Sequence, residues 1–170
     1  MSYQKVFERF RPGSEVPLGK VIKEYNNSFE PYEDYTKRKF PIFKDTKDVY
    51  ELDYSYICLR YLLKHGESSA PPIIRLTNTL NTRMENVFGF LDYLDIVDRT
   101  GFEGITTGTG YYLYPLYSIS KDIIAACPQD IIDRNDITEL LDFMLKKYTV
   151  RIPEEEKKEP LNERIKRALS

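Results

Sequence analysis

The chain has no tryptophan, a single histidine, two cysteines and only eight glycines in 170 residues. Each shortage closes off some chemistry. With His65 as the sole imidazole and no CxxC pair, neither a hydrolytic triad nor a zinc site of ordinary spacing can be assembled. His65 follows Lys64 and precedes Gly66, the pattern of a helix end, where cations meet the negative dipole and glycine takes the left-handed cap. Cys58 and Cys127 are far apart and read as small buried hydrophobes, since cytosolic thiols stay reduced. No apolar run approaches the roughly 20 residues of a membrane span, and "MSYQKVFERF" has no apolar signal core. The expectation is a cytoplasmic protein with no membrane partner. Excess charge of either sign is also missing: the net is −2, so the chain is not the basic body of a non-specific nucleic-acid binder.

What is present is an ordinary globular composition, 41% hydrophobic and 31% charged, enough for one core with appendages. Residues 1–47 carry Pro12, Pro17, Pro31 and Pro41 with scattered aromatics, among them Phe7, Phe10, Tyr25 and Phe43. They read as an arm whose aromatics pack on the main domain or order on a partner. Within it "KRKFPIFKDTK" (Lys37 to Lys47) sets five cations against one aspartate, the most basic run in the chain. It is either a solvated connector or an arm that lies along phosphates.

From Asp48 the pattern turns helical, with Val49, Leu52, Tyr56, Leu59, Leu62 and Leu63 on one stripe. "ESSAPPII" breaks that helix, and Pro71 or Pro72 suits the first turn of the next, which runs to about Leu80. Asn81 and Thr82 form a turn and cap. The following helix, Arg83 to about Asp95, has Met84, Val87, Phe88, Leu91 and Leu94 on its inner side. Ile96 and Val97 start a strand, "TGFEGITTGTG" (Thr100 to Gly110) reads as a flexible loop, and "YYLYPLYSIS" (Tyr111 to Ser120) returns as a tyrosine-rich strand. Pro115 marks the latter as an edge strand or one that ends early. Its four glycines notwithstanding, the loop fits no phosphate-binding fingerprint, because no Lys-Ser/Thr follows and it leads into a strand. Asp92, Asp95 and Asp98 straddle a helix end and a strand, a solvated edge and not a shared ion site.

The order helix, helix, turn, helix, strand, loop, strand over residues 48–120 resembles the winged helix-turn-helix superfamily of regulators. Leu76, Leu80, Val87, Leu91, Leu94, Ile96 and Val97 fall where that superfamily puts its core, and "LDIVDR" is similar to its exit into the wing. The implied fold is mainly α with a small β-wing, an α+β chain: arm at 1–47, winged helix-turn-helix at 48–120, further helices at 121–150 and a charged tail at 151–170. The tail sets six cations against five carboxylates and reads as an exposed helix from Pro160. Asp136 and Glu139 suggest a capping box ahead of a helix through Ile137, Leu140, Leu141, Met144, Leu145 and Tyr148. Residues 121–148 either pair across a homodimer or pack back on their own domain.

The resemblance implies double-stranded DNA as partner and transcriptional or replication-associated regulation as function. The second helix of the pair would enter the major groove. Arg83 could fork onto a guanine and Asn86 onto an adenine, each worth about 1–3 kcal/mol of discrimination. Thr82 faces outward beside them; Thr79, Asn81 and Arg75 could touch phosphates, and Lys37, Arg38, Lys39 and Lys44 could hold the backbone. Against this, residues 73–120 contain three arginines and five carboxylates, and the wing has no Lys or Arg. A second reading is therefore a protein-interaction module or subunit of a nucleic-acid-processing complex, contacting its partner through the wing and the Tyr111–Tyr117 strand. A third is a viral or plasmid structural protein. No enzyme, cofactor or metal is expected.

Overall fold

The computed structural model describes residues 3–28, 54–77, 81–153 and 161–169. Lys37, Arg38, Lys39, Lys44 and Thr79, together with the boundary at residue 47, lie outside these described residues. Chain order is α1 (Gln4–Phe7), β1 (Glu15–Pro17), α2 (Leu18–Asn27), α3 (Tyr54–His65), α4 (Ala70–Thr77), α5 (Asn81–Tyr93), β2 (Val97–Thr107), β3 (Gly110–Ile119), α6 (Lys121–Ala126), α7 (Gln129–Arg134), α8 (Ile137–Lys147), β4 (Thr149–Arg151) and α9 (Leu161–Leu169). Among the described residues the architecture is mixed α+β, with two small antiparallel sheets, β1–β4 and β2–β3.

The core is built around α3, which packs against α2, α5, α8 and β3. Being enclosed, it buries more than the single stripe its spacing predicts. Leu59 and Leu62 are inside as expected, but so are Tyr54, Ile57 and Cys58, while Tyr56 and Leu63 are only half-buried. On α5 the inner set Met84, Val87, Phe88 and Leu91 is buried, with Leu94 just beyond the helix. Phe90 is buried too, on another side of the helix. Each such side chain contributes roughly 1.5–3 kcal/mol when fully removed from water. Both cysteines are buried and neither is in a disulfide; the Cys58 thiol donates to the Met84 thioether at 3.2 Å.

The N-terminal residues are more than an arm. Leu18, Val21, Ile22 and Tyr25 form the buried stripe of α2, which joins the core against α3 and α8. Phe7 packs as its aromatic character predicts, tilted against Phe90 at 6.4 Å. β1 clamps this segment to the far end of the domain by pairing Val16 with Val150, extended by Gly13 N–H to Ile152 O at 2.7 Å. α8 is likewise internal: Leu141 and Met144 are buried, and the helix packs on α2 and α3 of its own chain. α8 thus packs back on its own domain, one of the two roles read for residues 121–148.

The stretch Thr100 to Gly110 is not a loop. β2 continues to Thr107 and pairs with β3 in register from Val97↔Ile119 to Thr107↔Gly110, with one irregularity between Arg99 and Gly101. Only Gly108 and Thr109 turn the chain. The hairpin is a two-stranded ribbon, so Pro115 sits on an edge as anticipated, and Ser68 adds an isolated bridge to Tyr117. Entry into β2 is made by Asp95 in the left-handed region (φ 58), with Ile96 N–H closing back on Leu91 O at 3.0 Å. Gly66 (φ 81) closes α3 with its N–H on Leu62 O at 2.7 Å, and the His65 ring packs on Tyr61 at 4.1 Å.

Candidate functional site: the face formed by α5 and the hairpin

The exposed side of α5 carries Asn81, Thr82, Glu85 and Asn86. The 3.6-residue period would also put Arg83 outside, but it is half-buried, its guanidinium 5.0 Å above the Tyr54 ring. The aromatic face at the start of α3 holds it, a tertiary contact that periodicity does not register. Arg75 is exposed on α4. The structure thus brings Asn81, Thr82 and Asn86 onto one surface and takes Arg83 partly out of it.

The third arginine of this region is also engaged. Arg99 donates to the Asp92 carboxylate at 3.1 Å and lies over the Tyr117 ring at 6.0 Å. Tyr117 stacks on Phe88 at 4.6 Å with the rings 10° apart. Burial pushes the Tyr117 phenol above its ordinary range, and the nearby Arg99 charge pulls the other way. Asp98 accepts from Lys121 N–H at 3.1 Å and so caps α6 from the neighbouring strand. The three aspartates read as a solvated edge therefore have separate jobs. Among the described residues no group of three His, Cys, Asp or Glu side chains could hold a metal ion, and no helix is long and apolar enough to cross a membrane.

Between α5 and β3 lies a groove of about 570 Å³. Its helix side is Asn81, Glu85, Phe88 and Gly89; its hairpin side is Tyr112, Leu113, Tyr114 and Pro115, and Ala70, Arg99 and Tyr117 complete the lining. Gly89 opens it, since a Cβ there would meet nothing within 4 Å. From Thr100 to Tyr114 the ribbon carries no Lys or Arg and exposes apolar side chains: Phe102 is 62% exposed, Tyr111 66% and Leu113 63%. The sequence marked the Tyr111–Tyr117 strand as a contact surface, but it gave no sign of the groove, which needs the distance between α5 and β3.

A second depression of about 500 Å³ lies on the side of α3 and α4 that meets β2. Its two carboxylates brace the hairpin: Glu67 accepts from Thr100 at 2.8 Å, and Glu103 accepts from the fully buried Ser69 at 2.5 Å. These bonds tie the ribbon to the helices and fix the face described above. Comparison of the chain with protein-family models, with curated proteins and with solved structures finds no match.

Proposed function

We propose that residues 54–119 form a winged-helix module whose α5–hairpin face binds a protein partner. The observation that carries this reading is the use made of the cations. Arg83 sits over Tyr54 and Arg99 is held by Asp92, while the ribbon offers Phe102, Tyr111 and Leu113 to its surroundings. Phosphate contacts draw on accessible Lys and Arg. Exposed aromatic and aliphatic surface beside a groove is instead the composition of a protein interface core. The helix, helix, helix, hairpin order and the Ser68–Tyr117 bridge support the winged-helix assignment.

DNA binding keeps one supporting observation, the joint exposure of Asn81, Thr82 and Asn86 at the start of α5, with Arg75 exposed on α4. The two readings part on one measurement. A fluorescent duplex titrated at roughly 50 and 200 mM salt is expected to show no retention at either. A photo-crosslinking residue at position 113, used in cell extract, is expected to give adducts that protease removes and nuclease leaves intact. Retention that falls steeply with salt and weakens in Asn86→Ala, or nuclease-sensitive adducts, would replace the protein reading with DNA.

A further inference from the structure

In the groove Glu85 is balanced by Arg99, but the depression beside β2 has no such balance. Glu67 and Glu103 line it together with the rings of Tyr61 and Phe102, and its lining holds no Lys or Arg. Each carboxylate is fixed through one oxygen only. Thr100 donates to Glu67 Oε2 at 2.8 Å, and the buried Ser69 donates to Glu103 Oε2 at 2.5 Å. The two bonds run in opposite directions between residues 67–69 and β2. Ser68 locks that junction by exchanging backbone hydrogen bonds with Tyr117 at 3.0 and 2.9 Å. Among the described residues neither carboxylate forms an ion pair. His65, the one basic side chain in the lining, packs its ring on Tyr61 at 4.1 Å and bonds to neither glutamate.

We propose that this depression binds the guanidinium of an arginine carried by a partner protein. A carboxylate accepts about four hydrogen bonds, so one hydroxyl on each leaves most of that capacity open. A guanidinium brings five donors in a planar fork and stacks on aromatic faces, which suits two carboxylates beside a tyrosine and a phenylalanine ring. An ammonium has three donors and no plane to stack. Because their hydroxyl partners already hold the carboxylates, binding orders little of the protein. The volume of about 500 Å³ is more than one side chain fills, which leaves room for the partner's adjoining residues and favours a protein over the free amino acid. The depression shares no lining residue with the groove, so the proposal goes beyond the reading of the α5–hairpin face and stands without it.

Backbone amide NMR of the full chain, titrated with Nα-acetyl-arginine amide, tests this. Saturable shifts at residues 67–69 and 102–103 are expected, with a Kd on the order of millimolar for a single side chain. The lysine analogue should bind about threefold or more weakly. The citrulline analogue, of the same shape without the charge, should not bind. Glu67→Gln/Glu103→Gln keeps an acceptor for Thr100 and for Ser69 but should weaken arginine binding on the order of tenfold or more. Both positions are exposed, and thermal unfolding checks that the variant folds. An acetyl-Gly-Arg-Gly amide should bind at least as tightly as the capped residue, and free arginine no more tightly. Equal shifts with citrulline overturn the proposal, a result read on the wild-type chain alone. So do shifts that never saturate and spread to other carboxylates such as Asp130 and Asp133, or a folded double variant that binds like the wild type. Free arginine that binds more tightly than the tripeptide overturns the protein source. The crosslinking from position 113 reads the other face, so the two proposals fail independently.

Discussion

Tyr25 of α2 and Phe90 of α5 stack face to face, ring centroids 3.8 Å apart and planes within 5°. Both are fully buried, and the pair joins a segment near the N-terminus to the helix that carries the candidate site. Phe7 and Tyr3 extend the cluster, and Tyr3 stacks on Tyr93 at 4.9 Å. Phe90→Ala should therefore cost about 3–5 kcal/mol, through lost burial and the cavity left behind. Urea denaturation of the variant measures it. A loss under 1 kcal/mol would mean that the contact between α2 and α5 contributes little to the fold.

The same tyrosine predicts a pH dependence. Burial pushes the Tyr25 phenol well above its ordinary value, with Arg83 acting in the opposite direction. A tyrosine that resists ionisation in the folded state binds its proton more tightly there than in the unfolded chain. Its contribution is complete below the unfolded value near 10 and is lost as pH rises above it. Unfolding free energy should thus begin to fall near pH 10 and keep falling up to the folded value, and Tyr25→Phe should flatten that fall. An unchanged slope in the variant would assign the effect to other groups, Tyr117 first among them.

The residues that the sequence placed well are those decided by local periodicity. Met84, Val87, Phe88 and Leu91 lie on one side of α5 because a 3.6-residue repeat leaves no other arrangement for them. α2 carried the same signal, since Leu18, Val21, Ile22 and Tyr25 are spaced i, i+3, i+4 and i+7; the prolines around it masked the repeat. The hairpin was harder. Gly101, Gly104 and four threonines between residues 100 and 109 look like a loop, and only pairing with β3 makes them a strand. Partners distant in the sequence were invisible: nothing in it announces that Tyr54 lies under Arg83 or that Phe88 stacks on Tyr117. These contacts decide which side chains remain for a ligand. For that reason the elements of the candidate site were readable and its chemistry was not.

Arg83 offers a direct test of that point. If its main work is over the Tyr54 ring, Arg83→Ala should lower stability by about 0.5–2 kcal/mol, the range for a partly desolvated cation over an aromatic face. Arg83→Lys should recover part of it, because an ammonium keeps the charge but not the planar stacking. Thermal and urea unfolding give the numbers. A base-reading arginine would behave otherwise: stability would hold while duplex binding was lost.

The last prediction concerns α8, the helix that packs back on its own chain. Asp136 caps it, accepting from Thr138 N–H at 2.9 Å and Glu139 N–H at 3.2 Å. The box is not reciprocal, because the Glu139 carboxylate is taken by Arg134, whose Nε donates to it at 2.9 Å. Asp136→Ala should cost about 1 kcal/mol, the usual loss for an N-cap carboxylate. The hydrogen bond from Arg134 lowers the Glu139 pKa below its ordinary 4.5. The sign follows directly: a carboxylate held ionised in the folded state supports the fold above its unfolded value, and that support fades as pH falls through the folded one. Glu139→Gln should remove this acid-side slope and leave the Asp136 contribution in place at neutral pH. If Asp136→Ala and Glu139→Gln prove interchangeable in their acid-side effect, cap and ion pair act as one unit, and the division drawn here between them is wrong.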